Sequence, residues 1–160
     1  MENKHLPVFG VGPIYVVCCL TLTVIGIVLR NTAFLKSGDI DNLKHAAIVI
    51  GIAFIILGVV IWIYAVVIQK VSIEIKKGKL VTQGVYSLVR NPIYSAFLLV
   101  FTGALIIAHN VYLLILPIIF YLSLTFLTKN TEEKWLLEKF GNDYEEYCIK
   151  VNRVIPWWRK

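Results

Sequence analysis

The chain has 160 residues, 58% of them hydrophobic and 16% charged, with a mean hydropathy of +0.76. Soluble domains run at about 45–50% apolar and about 25% charged, so this composition excludes a disordered chain and an ordinary water-soluble globule and points to an integral membrane protein. Sixteen Lys and Arg against ten Asp and Glu give a net charge of +6. The basic residues fall between long apolar runs, so they read as loops held at an anionic leaflet of membrane lipid and not as a nucleic-acid surface.

Near the start, Gly10-Val-Gly12 lacks the third glycine of a GxGxxG dinucleotide loop and is read as easing entry to the first helix. Four apolar runs follow, 13–29, 46–68, 93–108 and 111–128, and none contains Asp, Glu, Lys or Arg. A helix needs about 20 residues to cross the hydrocarbon core, with a range of about 17–25. The second run is long enough to tilt, the third is short, and the fourth lies at the lower limit. The first run is read as a retained helix, since no A-x-A-like cleavage site follows it. Only His109 and Asn110 separate the last two runs, which predicts a tight helical hairpin with His109 as an interfacial turn residue.

Four crossings put the N-terminus, the 69–92 loop and the C-terminal tail on one side, with thirteen Lys and Arg against three on the other. That asymmetry predicts a multi-pass protein with both termini cytoplasmic. Cys18 and Cys19 lie in the first run and Cys148 in the tail, with no CxxC pair and no clustering with His5, His45 or His109. No metal site is expected, and the first two cysteines are read as small buried hydrophobes.

The tail from residue 130 to 156 differs in kind. Asn130 followed by Glu133 resembles a capping box. Leu136, Phe140, Tyr144, Tyr147 and Val151 recur at spacings of three and four, with Lys134, Glu138, Asp143 and Glu146 off that stripe. This predicts an amphipathic helix, with Gly141 as a point of breakage. Pro156, Trp157 and Trp158 end it and supply interfacial anchors, with Arg159 and Lys160 near headgroups.

The segment 76–94 carries the chemistry-bearing pattern. Gly78 and Gly84 allow tight turns and close backbone approach. Pro92 favours a helix start, whose free N–H groups can bind a carboxylate or phosphate. Tyr86 and Tyr94 offer aromatic faces, and Arg90 lies between them in sequence as a fixed cation. On composition alone a re-entry loop touching lipid headgroups is the readier explanation.

Leu80-Val-Thr-Gln-Gly-Val-Tyr86 and then Arg90-Asn-Pro-Ile-Tyr94 resemble the LVTxGVY…RHPxY signature of the isoprenylcysteine carboxyl methyltransferase family, which is related to the membrane phospholipid methyltransferases. Glu132-Glu133, Phe140-Gly141, Tyr144, Tyr147, Val151, Arg153 and Pro156 resemble that family's second block, EExxL…FGxxYxxYxxxVxRxxP. The two blocks cover about half the chain, from residue 78 to 156.

The resemblance implies one all-α membrane domain over 1–160, with a cytoplasmic C-terminal amphipathic helix closing a cofactor pocket over about four transmembrane helices. It implies S-adenosylmethionine as cofactor, held by Gly78, Lys79, Leu80, Val81, Tyr86, Asn91, Pro92, Ile93, Tyr94 and one of Glu132 or Glu133. Leu80, Val81 and Ile93 would wall the adenine, and Arg90 would orient the substrate. No dedicated acid–base residue is implied, since alignment and desolvation suffice for a carboxylate acceptor. The implied acceptor is a lipid-like or prenylated molecule, a carboxylate as in isoprenylcysteine O-methylation, with phospholipid or amine N-methylation as the alternative. Relatives carry His at the place of Asn91 and often at that of Gly78. Thr128 stands where the enzyme acting on prenylated proteins has a carboxylate-binding Arg. A small transporter is the competing class, although coupled carriers place ionisable groups within the membrane and the four runs have none. An inactive scaffold of the same fold is the third.

Overall fold

In the computed structural model, which describes residues 10–69 and 78–156, each of the four apolar runs is helical. Helix α1 spans Gly12–Leu29, and a single turn, α2, follows at Ala33–Lys36. Helix α3 is Lys44–Ile63 and widens at its end into a π-helical turn, Tyr64–Ile68. Helix α4 is Pro92–Ile107 and α5 is Ile115–Asn130. The tail forms α6, Glu132–Phe140, and α7, Asn142–Lys150. Among the described residues, extended pairing is confined to two isolated bridges, Asp39 with Asn110 and Val89 with Asn152.

Three stretches, Gly12–Leu29, Asp41–Ile68 and Tyr112–Phe140, are long and apolar enough to cross a membrane. Helix α4 is shorter: its 16 residues give about 24 Å against a hydrocarbon core of about 30 Å. Large apolar side chains such as Ile14, Val49 and Phe126 point outward from α1, α3 and α5. Helices that satisfy their own backbone and face outward with Ile, Val and Phe are those of a multi-pass membrane protein.

Helix α4 is the centre of the bundle. Its Phe101 and Leu105 pack with Tyr15 and Cys19 of α1 and with Phe120 and Leu124 of α5. Its opposite face lies against α3, glycine to glycine. A Cβ on Gly51 would fall 2.6 Å from the Gly103 carbonyl oxygen, and one on Gly58 would fall 2.7 Å from that of Ala96. Backbones approach this closely only where side chains are missing.

Beyond α4 the chain reverses at His109, which takes φ +39°. The turn is buried, because the loop between α1 and α3 folds over it. Arg30 reaches His109 Nε2 at 2.5 Å and grips Asp39 with two bonds, at 3.0 and 3.1 Å. Asn110 Nδ2 donates to the Leu35 carbonyl and to Asp39. Arg30, and after it Asn110, hold the Asp39 carboxyl well below its usual range, at about 2.

The tail departs from its prediction at its two ends. Asn130 closes α5, with Nδ2 donating to Phe126, and Thr131 precedes α6 without a side-chain cap, so there is no capping box. The helix breaks at Gly141, φ +52°, the predicted point of breakage, but α7 ends at Lys150, ahead of Pro156. Cys19 is buried as expected, whereas Cys18 faces outward. Trp157, Trp158, Arg159, Lys160, His5, Lys76 and Lys77 lie outside the described residues.

Candidate functional site

The site forms where the tail returns to the start of α4. Pro92 occupies the first helical turn, as its fixed φ and missing N–H favour. Just before it, the Arg90 N–H donates to the Asn152 carbonyl at 2.8 Å and the Asn91 N–H to that of Arg153 at 3.0 Å. Ser95 Oγ donates to the Val154 carbonyl at 2.6 Å. The Asn91 side chain also donates to the Arg153 carbonyl, at 3.3 Å. Residues 152–154 are therefore stitched to the loop–helix junction.

The acidic pair divides its work. Glu133 receives two bonds from Arg153, at 2.6 and 2.7 Å, and its Oε1 lies 2.9 Å from Arg90 Nη2. This partly buried triad ties α6, the tail and the loop together, with the Arg90 guanidinium 6.0 Å from the Tyr144 ring centroid. Arg90 Nε is buried with no hydrogen-bond partner among the described residues. Glu132 turns the other way. Its Oε1 accepts from Tyr94 Oη at 2.5 Å and from the Val11 N–H at 3.1 Å, which brings the start of α1 to the same place.

Between these groups lies a cavity of about 520 Å3. Of the residues implied from sequence, Lys79, Leu80, Val81, Tyr86, Arg90, Asn91, Pro92, Ile93, Tyr94 and Glu132 line it, and Gly78 and Glu133 do not. Gly78 makes a left-handed turn with φ +71° before the lining begins. Tyr144 and Tyr147 of the predicted stripe also line it, and burial pushes both hydroxyls, and that of Tyr86, above the usual tyrosine range. All three stay protonated through neutral pH.

Several lining groups were not singled out for the site from sequence. Gly10 and Gly12 are among them, and a Cβ on Gly12 would lie 2.9 Å from Tyr94 Oη. The Gly-x-Gly spacing was the available signal. Val17 of α1, Trp62 and Val66 of the α3 run, Phe97 of α4 and Trp135 of α6 complete an apolar part that nothing in the sequence distinguishes from membrane-facing surface. Val17 and Trp62 line the cavity while remaining 60% and 39% exposed, so they sit at its edge, on the outer side of the bundle. Lys79, also exposed, marks the polar rim.

The sequence profile of the phospholipid methyltransferase family matches residues 46–143. Over 82 residues the chain is 39% identical to a probable protein-S-isoprenylcysteine O-methyltransferase of Oryza sativa subsp. indica, and equally to that of subsp. japonica, covering 49% of this chain and 41% of the relative. It is 29% identical over 91 residues to methanethiol S-methyltransferase 1 of Bradyrhizobium diazoefficiens, covering 56% of this chain and 30% of that protein. The chain thus spans about two fifths of the length of the plant relatives it matches.

Proposed function

We propose a function on one premise: the chain belongs to the phospholipid methyltransferase family. It is an S-adenosylmethionine-dependent methyltransferase working at the cytoplasmic face of a membrane on a lipid-like or isoprenoid acceptor. The cavity shared by the 79–94 stretch, Glu132 and the tail tyrosines is the observation that carries this reading.

The lining fits that cofactor. About 520 Å3 falls within the about 300–1,000 Å3 common for small-ligand sites. The first-turn N–H groups of Ile93 and Tyr94 have no acceptor within their helix and suit a carboxylate. Glu132, with the rings of Tyr86 and Tyr94, suits an ammonium and a sulfonium. Leu80, Val81 and Ile93 give adenine an apolar wall. Glu132, not Glu133, is the cofactor's acidic partner, since Glu133 is committed to two arginines.

When bound, the cofactor supplies an electrophilic methyl group on a positively charged sulfur. The residues of this chain hold the acceptor's nucleophile in line with it at about 3 Å and keep water out. A carboxylate arrives ionised at neutral pH and needs no base. Charge is dispersed as anion meets sulfonium, so the apolar walls of Phe97 and Trp135 favour the reaction. Arg90, which lines the cavity beside Tyr144, orients the acceptor. The cavity edge at Val17 and Trp62 admits the acceptor from lipid, while the cofactor enters past Lys79. The thirteen-to-three distribution of Lys and Arg supports four crossings with both termini, and the tail helices, in the cytoplasm.

A carboxylate acceptor follows the plant relatives; amine N-methylation is the alternative drawn from the family's description, and thiol methylation the one drawn from the bacterial relative. The test is calorimetric binding of S-adenosylhomocysteine to detergent-purified protein, followed by labelled methyl transfer to isoprenoid thioether acids, amino-phospholipids and short thiols. Binding and transfer to one class are expected. A folded preparation that binds no cofactor sinks the proposal.

A further inference from the structure

Gln69 is the first residue beyond the π-helical turn of α3, and its side-chain amide reads the main chain of a distant turn. Nε2 donates to the Gln83 carbonyl at 2.6 Å, and Oε1 accepts the Val85 N–H at 3.3 Å. Gly84 lies between those two groups with φ +62°, and a Cβ there would come within 2.5 Å of Nε2. Residue 84 is therefore glycine twice over, for its left-handed backbone and for the amide standing where a side chain would be. The same turn is held from the tail, where Tyr147 Oη donates to the Tyr86 carbonyl at 2.6 Å. Ala65, inside the π-helical turn, packs beneath Tyr86 in one buried cluster with Val85 and Ile93. π-Helical turns concentrate at functional sites.

We infer that Gln69 is a positioning residue: its amide fixes the 83–85 turn and so sets where Tyr86 meets the cofactor, a role that rests on the methyltransferase reading above. A side-chain amide of this length meets the requirement. It supplies one donor and one acceptor on a single planar group, whereas a carboxylate has no donor and a thioether has neither in useful strength. Asparagine is one methylene too short to reach both groups. Because Gln69 sits on the α3 run and Tyr147 on the tail, the turn is registered between the membrane bundle and the returning tail.

Gln69→Glu and Gln69→Met keep the length of the side chain while removing one or both of its hydrogen-bonding functions. The measurements are the dissociation constant for S-adenosylhomocysteine and the unfolding temperature in the same detergent. Both variants are expected to bind about three- to tenfold more weakly, because the ligand must then order a turn that the amide no longer holds, while the unfolding temperature falls only by what one or two modest hydrogen bonds imply. Gln69→Glu binding as tightly as wild type overturns the inference. A fall in unfolding temperature well beyond that in both variants overturns it too, because the amide would then be holding the fold. Wild-type protein that binds no S-adenosylhomocysteine fails at the earlier step and takes the methyltransferase reading with it.

Discussion

Glu133 accepts from Arg153 through both carboxylate oxygens and from Arg90 through one, inside a region where all three side chains are largely shielded from water. Removing that carboxylate leaves two guanidinium groups facing each other, and breaking a buried pair in this way costs about 3–5 kcal/mol. Glu133→Ala is therefore expected to lower unfolding stability by about that amount in detergent, with cofactor binding lost only as folding is lost. Glu132→Gln keeps a side chain that can still accept from the Val11 N–H, so unfolding stability should change by less than about 1 kcal/mol. Its cofactor affinity should fall by more than about tenfold, since a charge-assisted contact to a cationic ligand contributes about 1.5–3 kcal/mol. Equal behaviour of the two variants in paired melting and binding measurements would refute this division. The pair was legible in the sequence as a pair, but not its division. Neighbouring positions at the start of a helix point about 100° apart, and which direction faces the cavity depends on the tail segment twenty residues further on.

At the scale of elements, the α3–α4 contact is the one most open to test. Gly103 has the Gly51 carbonyl where its own Cβ would be, at 2.5 Å. Gly103→Ala must therefore separate two helices that touch along their backbones, and overpacking of this kind costs about 1–3 kcal/mol. Thermal unfolding in detergent should show that loss, while Gly141→Ala, with nothing within 4 Å of its Cβ, is confined to backbone strain at φ +52°. The four apolar helices were readable because hydrocarbon leaves the backbone few other options, and Pro92 marked the start of α4 to within a residue. Their packing was not readable. Gly51, Gly58 and Gly103 look like any glycines in an apolar run, and their pairing depends on a crossing geometry that sequence spacing does not encode. The capping box failed for a related reason: Asn130 still belongs to α5, whose helix runs on past the apolar stretch before the chain turns at Thr131.

Across the whole molecule, the two ends of the bundle are built differently. One end gathers the 79–94 stretch, Glu132, Tyr144 and Tyr147 around the cavity, with residues 152–154 bonded to the head of α4; the other is closed by Arg30, Asp39, His109 and Asn110. Asp39 has its carboxyl lowered to about 2 by Arg30 and then Asn110. A lowered carboxylate contributes stability that is fully present above the unfolded value of about 3.9 and is lost only as pH falls toward about 2. The gap in unfolding temperature between wild type and Asp39→Asn should accordingly stay constant from pH 5 to 8. A gap that closes within that window would show that another group governs this end. The polar residues that line the cavity stood out in the sequence, because loop glycines, tyrosines and carboxylates are conspicuous between apolar runs. Trp62, Val66 and Phe97 were not, because a cavity wall inside a membrane bundle has the same composition as its outer surface.

The main-chain bonds from Asn152, Arg153 and Val154 to the head of α4 also set an order of events in biosynthesis. The helices can enter the bilayer as the ribosome delivers them, but the chamber beside Pro92 has no completed wall until this late stretch has emerged. A nascent polypeptide caught before that point would be inserted with that chamber still open on one side.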